Sequence, residues 1–258
     1  MNKEFKDSWA LILGGSSGLG LASAKKLASH GMNICIVHRD RKSSLGAFEK
    51  DIKKMVSYGV QVQTFNKDAL KKETHEEVAS FFASKTIHLL LHSIAKGSLK
   101  PMVSKTEKIL SKTDIDITLH AMATSWYEWT QLLIHHKLFM ENARNIGFTS
   151  EGNSKVWPGY AAVSAAKVVL ESLMRSMAVE FAPLKITTNC IQAGTTETQS
   201  FNMIPGSEKL SAMAKKRNPF QRLTMPQDVG NTVYLLCKEE AGWINGTILK
   251  VDGGESIR

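Results

Sequence analysis

The chain has 258 residues, enough for one large α/β domain with a full core or for two small ones. Thirty-three basic against 24 acidic residues leave a net charge of +9, which suits an anionic cofactor or an acidic protein partner. The basic residues are spread without zinc-finger spacing, an RNP-like motif or an aromatic-interleaved stripe, which argues against nucleic acid, and no apolar run reaches membrane-spanning length. Met1 to Trp9 is too polar for a signal peptide. Cys35, Cys190 and Cys237 stand isolated in apolar surroundings and read as reduced thiols of a cytoplasmic protein. In that setting the sequon Asn245-Gly246-Thr247 carries no meaning.

The first apolar run, Trp9 to Leu13, meets Gly14-Gly15-Ser16-Ser17-Gly18-Leu19-Gly20, and a helical pattern follows through Leu21, Ala24, Leu27 and Ala28. Strand, glycine turn and helix in that order make a phosphate-binding unit. The glycines admit the backbone to a pyrophosphate, and the helix N-terminus offers free N–H groups. The second strand, Asn33 to Val37, runs into His38-Arg39-Asp40-Arg41-Lys42. An acidic residue ending that strand would take a ribose 2′-hydroxyl. Here the slot holds His38 followed by Arg39, whose guanidinium suits a 2′-phosphate and points to NADPH.

Alternation continues: a helix to about Tyr58, a strand Val60 to Phe65, Asp68-Ala69 at its end, and a helix from Lys72 to Ala83. A strand Ile87 to Leu91 then leads into His92-Ser93-Ile94-Ala95. One long helix is expected from Thr113 to about Met140, a strand ending at Ser150, and a strand from Lys185 to Ile191 before Ala193-Gly194-Thr195-Thr196-Glu197-Thr198. Residues 199–225, rich in Met and Pro with a Lys215-Lys216-Arg217 cluster, read as a mobile substrate-binding lid. Pro226 opens the last helix, and a final strand covers Gly246 to Asp252. The pattern predicts one domain over residues 1–258: a doubly wound (Rossmann) parallel sheet with helices on both faces and ligand at the carboxyl ends of the strands.

Between the last two long elements lies Pro158-Gly159-Tyr160-Ala-Ala-Val163-Ser164-Ala-Ala-Lys167. Apolar residues from Val163 to Phe181 recur at threes and fours, which predicts a helix between Pro158 and Pro183. Seven residues are close to two turns, so Tyr160 and Lys167 are expected on one face about 10 Å apart along the axis. An ammonium there is expected to lower the phenol pKa and prime it as proton donor or oxyanion stabiliser. His92 is given a main-chain role. His120, His135 and His136 lack metal partners at ligand spacing, and no metal site is expected. Trp126, Tyr127 and Trp129 are assigned to a helix–helix interface.

These features in this order resemble the short-chain dehydrogenase/reductase family over essentially the whole chain. The resemblance rests on the Gly14–Gly20 loop, Asp68-Ala69, the Lys167 helix, Asn189 to Thr198, and Val251-Asp252-Gly253-Gly254. It implies that Asp68 and Ala69 contact adenine, that Ser93 and Ala95 line the nicotinamide ribose, and that Thr196 and Thr198 meet the carboxamide. It also implies that Lys167 holds the ribose hydroxyls and that the chain pairs as a homodimer or homotetramer.

Three departures narrow the resemblance. The family's usual Tyr, four residues before the Lys, is replaced by Val163; Asn-Asn-Ala-Gly is replaced by His92-Ser93-Ile94-Ala95; and the structural Asn of the preceding helix falls at Met122. The Tyr-six-residues-Lys spacing and His-Ser-Ile-Ala are similar to the enoyl-acyl-carrier-protein reductase branch. A second Tyr often lies ten residues before the catalytic one there, whereas Ser150 stands here, as in an NADPH-using subset. The implied activity is NADPH-dependent reduction of an enoyl thioester in fatty acid synthesis, its substrate carried on an acidic acyl carrier protein. Tyr160, Lys167 and Ser150 are its catalytic candidates. The alternatives are a reductase acting on a ketone or a dienoyl thioester, and a catalytically idle NADPH-binding protein.

Overall fold

A computed structural model describes residues 4–258; the first three residues of the polar N-terminal stretch and of the expected domain lie outside the described residues. Strands fall at Trp9–Leu13 (β1), Asn33–His38 (β2), Val62–Asn66 (β3), Ile87–His92 (β4), Phe139–Ser150 (β5), Ile186–Ala193 (β6) and Ile248–Val251 (β7). They pair in parallel as one seven-stranded sheet in the order β3-β2-β1-β4-β5-β6-β7.

Both faces of the sheet are covered, which is why β1, β2 and β4 read as continuous apolar runs rather than alternating ones. Successive side chains of β1 point to opposite layers. Ala10 and Ile12 pack with helices α1 (Gly18–Ser29), α2 (Lys42–Val56) and α9 (Pro226–Cys237). Trp9, Leu11 and Leu13 pack with α3 (Lys72–Phe81), α5 (Ser125–His135) and α6 (Ala161–Glu180). Cys35, Cys190 and Cys237 are free and buried. No helix among the described residues is long and apolar enough to cross a membrane, and no cluster of potential metal ligands occurs among them.

The register aligns the strand ends that matter. Leu13 pairs with Val37 on one side and with His92 on the other, and Ser150 pairs with Ala193. The loops leaving β1, β2, β4, β5 and β6 therefore open along one edge of the sheet, where a doubly wound fold places its ligand.

The expected helix from Thr113 to Met140 is three pieces. Lys112–Leu119 (α4) is capped by Ser111, which accepts from Asp114 N–H. A π-helical turn, His120–Thr124, widens the coil around Met122, and α5 follows. The helix stops at His135 because Lys137 takes the left-handed conformation (φ +54°) and Leu138 N–H returns to Leu133 carbonyl. β5 then starts at Phe139, seven residues before the apolar Ile146 that marks it in the sequence, and its register with β4 shifts between Ile87 and Leu89.

The tryptophans of α5 are core residues, buried between the sheet and the neighbouring helices. Trp126 lies against Gly147 of β5, where an added Cβ would stand 3.0 Å from its ring, and its Nε1 donates to Asn145 Oδ1 at 2.5 Å. Trp129 Nε1 donates to the Ala69 carbonyl at 2.9 Å, edge-on to His75 of α3. Residues 199–225 hold Gln199–Asn202 (α7) and Ser207–Arg217 (α8). Truncating a fully buried Trp leaves a cavity and, here, an unpaired Asn145 carbonyl. Trp126→Ala should lower unfolding stability by about 3–5 kcal/mol, seen as a lower urea midpoint at unchanged slope.

Candidate active site

The phosphate loop is built by collisions that only glycine avoids. Gly14 has φ +85°, and a Cβ there would lie 2.6 Å from the Ser93 carbonyl oxygen; a Cβ on Gly20 would collide with the Gly14 carbonyl oxygen. Gly14 N–H donates to Val37 O and Ser93 N–H to Leu13 O, each at 2.8 Å, which fixes the loop between β2 and β4. Gly18 has φ +54° and opens α1, whose N-cap Ser17 makes no side-chain capping bond. The first-turn N–H groups and the positive end of the helix dipole thus face the cleft without a side-chain cap. Ser16 is half-buried beside them, while Leu19 turns inward onto the core.

The end of β2 is organised by ion pairs. His38 is buried, and its Nδ1 lies 2.7 Å from Asp40 Oδ2. Asp40 N–H donates to Asn66 Oδ1 at 2.9 Å. The carboxylate nearest the ribose slot is therefore engaged. Arg39, 62% exposed, donates to Asp68 Oδ2 at 2.8 Å. Burial raises Asp68, but the Leu70 N–H, Lys96 and Arg39 outweigh it and hold its carboxyl below the usual range. Ala69 is buried, and its carbonyl already accepts from Trp129. Ala95 is exposed at the mouth. Ser93 Oγ sits over Gly20.

Tyr160 and Lys167 occupy different settings. Tyr160 is the N-cap of α6, not a helical residue, because Gly159 (φ +78°) turns the chain just before it, where a Cβ would press on Leu99 O at 3.0 Å. Its ring covers Gly152 in the 3₁₀ turn Glu151–Asn153; a Cβ on Gly152 would lie 2.5 Å from Tyr160 Cε1 and 3.3 Å from Ser150 Oγ. Burial pushes the phenol pKa up, partly offset by the Ser150 hydroxyl, so the expected lowering by Lys167 does not occur. Ser150 Oγ itself has no hydrogen-bond partner of ordinary geometry among the described residues. Its pull on the phenol is thus one of proximity.

Lys167 is 8% exposed and donates from Nζ to the Phe148 carbonyl at 2.7 Å. Burial brings its pKa down to about 8, against Cys190 and Glu171, which raise it. His92, buried at the end of β4, has its pKa lowered to about 3 by burial and by Lys167, and its Nε2 lies 2.9 Å from Ser125 Oγ. It stays neutral and structural. The residue four before Lys167, Val163, is buried in an apolar cluster with Ala121, Met122 and Ala166. Gly97 closes this cluster: a Cβ there would meet Val163 Cγ2 at 2.7 Å and Met122 Sδ at 3.0 Å.

The profile of the family described as Enoyl-(Acyl carrier protein) reductase matches residues 14–256. The chain belongs to the short-chain dehydrogenase/reductase family. Among its relatives are a 1-cyclohexenylcarbonyl-CoA reductase of Streptomyces collinus, 28% identical over 96% of this chain and 86% of that protein, and a tropinone reductase homolog of Arabidopsis thaliana, 26% identical over 99% and 95%. The crystal structure of an NADH-type enoyl-[acyl-carrier-protein] reductase from Aquifex aeolicus superposes with a TM-score of 0.81, covering 98% of both chains at 24% identity, an agreement of fold. As a short-chain dehydrogenase/reductase the protein is an oxidoreductase that uses a nicotinamide cofactor. The glycine cradle and the α1 N-terminus without a side-chain cap fit its pyrophosphate.

Around this short-chain dehydrogenase/reductase site the structure adds residues that the motifs do not mark. Glu171, one turn beyond Lys167 on α6, accepts from Thr149 Oγ1 and from Asn153 Nδ2. Glu255, 1% exposed, accepts from Thr195 N–H and Oγ1 and from Arg217 of α8, and Arg217 also reaches Glu151. The signal for Glu171 was present, a lone carboxylate four residues after the Lys on an otherwise apolar stripe. Arg217 and Glu255 are distant in sequence, and no local pattern joins them. Thr196 is buried, its hydroxyl donating to Gly194 O. Thr198 caps α7 and lies against Gly18, which brings the β6 loop over the phosphate loop.

Gly20→Ala should abolish tight cofactor binding, because the added methyl would collide with the Gly14 carbonyl oxygen and force the phosphate loop to shift. Loss of at least tenfold in affinity by nicotinamide fluorescence, with a far-UV spectrum like the wild type, is the expected result.

Proposed function

We propose that this oxidoreductase uses NADPH to reduce the 2,3 double bond of an enoyl thioester in fatty acid synthesis. The observation that carries the reading is the exchange of positions at the head of α6. The usual phenol slot is an apolar plug at Val163, and the phenol stands three residues earlier, at Tyr160. A carbonyl reductase needs its acid at the oxygen of the carbon that receives hydride. In an enoyl thioester the negative charge grows on an oxygen three bonds away, so the donor must stand further toward the mouth. Tyr160 at the N-cap meets that need, and Val163 leaves nothing ionisable at the alternative slot.

The bound cofactor would supply a hydride to the β-carbon of the substrate. Tyr160, kept protonated by burial, would donate a hydrogen bond to the thioester oxygen as charge develops there, the role of an oxyanion-hole donor. Ser150 would steady the phenol from below. Lys167 would keep the site electropositive and, turned from Phe148 O, hold the ribose hydroxyls. A proton from solvent would complete the α-carbon. NADPH rather than NADH is supported by Asp40, whose Oδ2 is engaged by His38, and by Arg39 exposed beside it. The exposed Lys209 and Lys216 of α8 support an acidic acyl carrier protein as the substrate's bearer, with residues 199–225 as lid. A cytoplasmic homodimer or homotetramer completes the proposal.

Arg39→Ala should raise the KM for NADPH about ten- to hundredfold and leave that for NADH nearly unchanged, since one charge-assisted hydrogen bond is worth ~1.5–3 kcal/mol. Equal effects on both cofactors would overturn the NADPH assignment.

Tyr160→Phe tests the chemistry. It keeps the ring over Gly152 and removes only the hydroxyl, so kcat with crotonyl thioesters should fall about 10²–10³-fold while NADPH affinity holds. Wild-type reduction of acetoacetyl but not crotonyl thioesters would establish the ketoreductase instead. NADPH binding with no reduction of either would establish an idle nucleotide-binding protein.

A further inference from the structure

Glu171 is a buried carboxylate for which the reaction proposed above has no direct use. It is 7% exposed on α6, in a helix otherwise packed through Leu170, Met174 and Met177. A carboxyl group so placed costs stability unless it is hydrogen-bonded. Its Oε1 accepts from two side chains that bracket one short segment: Thr149, the penultimate residue of β5, and Asn153, the last of the 3₁₀ turn, at 2.7 Å. That segment contains Ser150, which faces the phenol, and Gly152, on which the Tyr160 ring lies. Phe148, just before it, supplies the carbonyl that holds Lys167 Nζ.

The groups facing Lys167 can be enumerated. Glu171 approaches from its own helix, Cys190 from β6 and His92 from β4. Burial pushes the Cys190 thiol up and His92 down, so both are neutral between pH 6 and 9 on ordinary titration behaviour. Of these groups Glu171 is the one carboxyl, one turn from Lys167 on the same helix.

We propose that Glu171 is a positioning residue of this site: it fixes the 149–153 segment beneath Tyr160 and supplies the negative charge that Lys167 faces. The proposal rests on the reading of Tyr160 and Lys167 given above, but the test below reads Lys167 through cofactor binding and not through turnover.

In the wild type, NADPH affinity should be flat in acid and weaken as pH rises through about 8, where Lys167 loses its proton. Glu171→Gln removes the charge and keeps an amide oxygen that can still accept from Thr149 and Asn153. The alkaline break should move to lower pH, because Glu171 raises the Lys167 pKa. Glu171→Ala removes both functions. It should show the same displaced break and, with crotonyl thioesters at pH 6, a kcat at least tenfold lower, most of it restored in Glu171→Gln.

Fluorescence titration of NADPH from pH 6 to 9.5 on folded protein gives the deciding readout. A break that stays at its wild-type position in both variants overturns the proposal, as does an Ala variant whose kcat equals that of the wild type. Absence of turnover in the wild type with a displaced break in Glu171→Gln would sink the enoyl reductase reading and leave Glu171 in place.

Discussion

Lys167 holds an ammonium inside the protein with one backbone carbonyl as its direct partner, and the surrounding architecture follows from keeping that arrangement tolerable. The Phe148 carbonyl lies one residue beyond the last β4 pairing, His92 with Gly147, while β5 continues in register with β6 to Ser150. The apolar stripe of α6 seats the helix so deeply against the sheet that the lysine head is dry. Desolvation of this kind disfavours charge, and what remains of the ammonium's preference for its proton comes from groups placed nearby. The phenol at the helix start experiences the same dryness with the opposite consequence, since burial favours its neutral form. One environment thereby yields a cation near its titration point and an acid that keeps its proton.

The second organising feature is the way separate loops are tied together. Thr198 lies on Gly18, Glu255 ties Thr195 to Arg217, and Arg217 reaches Glu151 beside Ser150. The helix α8 is thus connected to the loops after β5 and β6, and the chain around Glu255 acts as a clasp on the site although it lies beyond the last strand. Among these pairs the Arg217–Glu255 contact joins a buried carboxylate to a half-buried guanidinium, and losing Arg217 would leave the Glu255 carboxylate without its counter-charge.

Much of this was legible in the sequence, and the reasons are local. The Gly14–Gly20 loop, the alternation of strands and helices, and the apolar period after Val163 are short-range patterns, and each element formed close to its expected place. The failures share a different cause. The helix ending at His135 is stopped by a left-handed Lys137, a conformation no lysine advertises. Helix α8 starts from Gly206 in a polar sequence of weak amphipathicity, so nothing in residues 207–217 marks it as a helix. The pKa of Tyr160 was misjudged in sign because burial is a property of the packed neighbourhood, not of the distance to a lysine. The hydrogen-bond partners of the α5 tryptophans, Asn145 and Ala69, come from elements remote in the chain, so no local pattern names them.

The plug at Val163 also bears on how such a site changes over time. Its neighbours Met122 and Gly97 are in mutual contact distance, and Gly97 has no room for even a methyl group. A phenol at position 163 would enter a cluster in which Met122 and Gly97 already lie against the valine. The two tyrosine spacings are therefore separated by at least three interlocked positions rather than by one substitution. A lineage passing from one to the other crosses intermediates with either two crowded phenols or none, so the geometry of a few ångströms acts as a barrier to drift between chemistries.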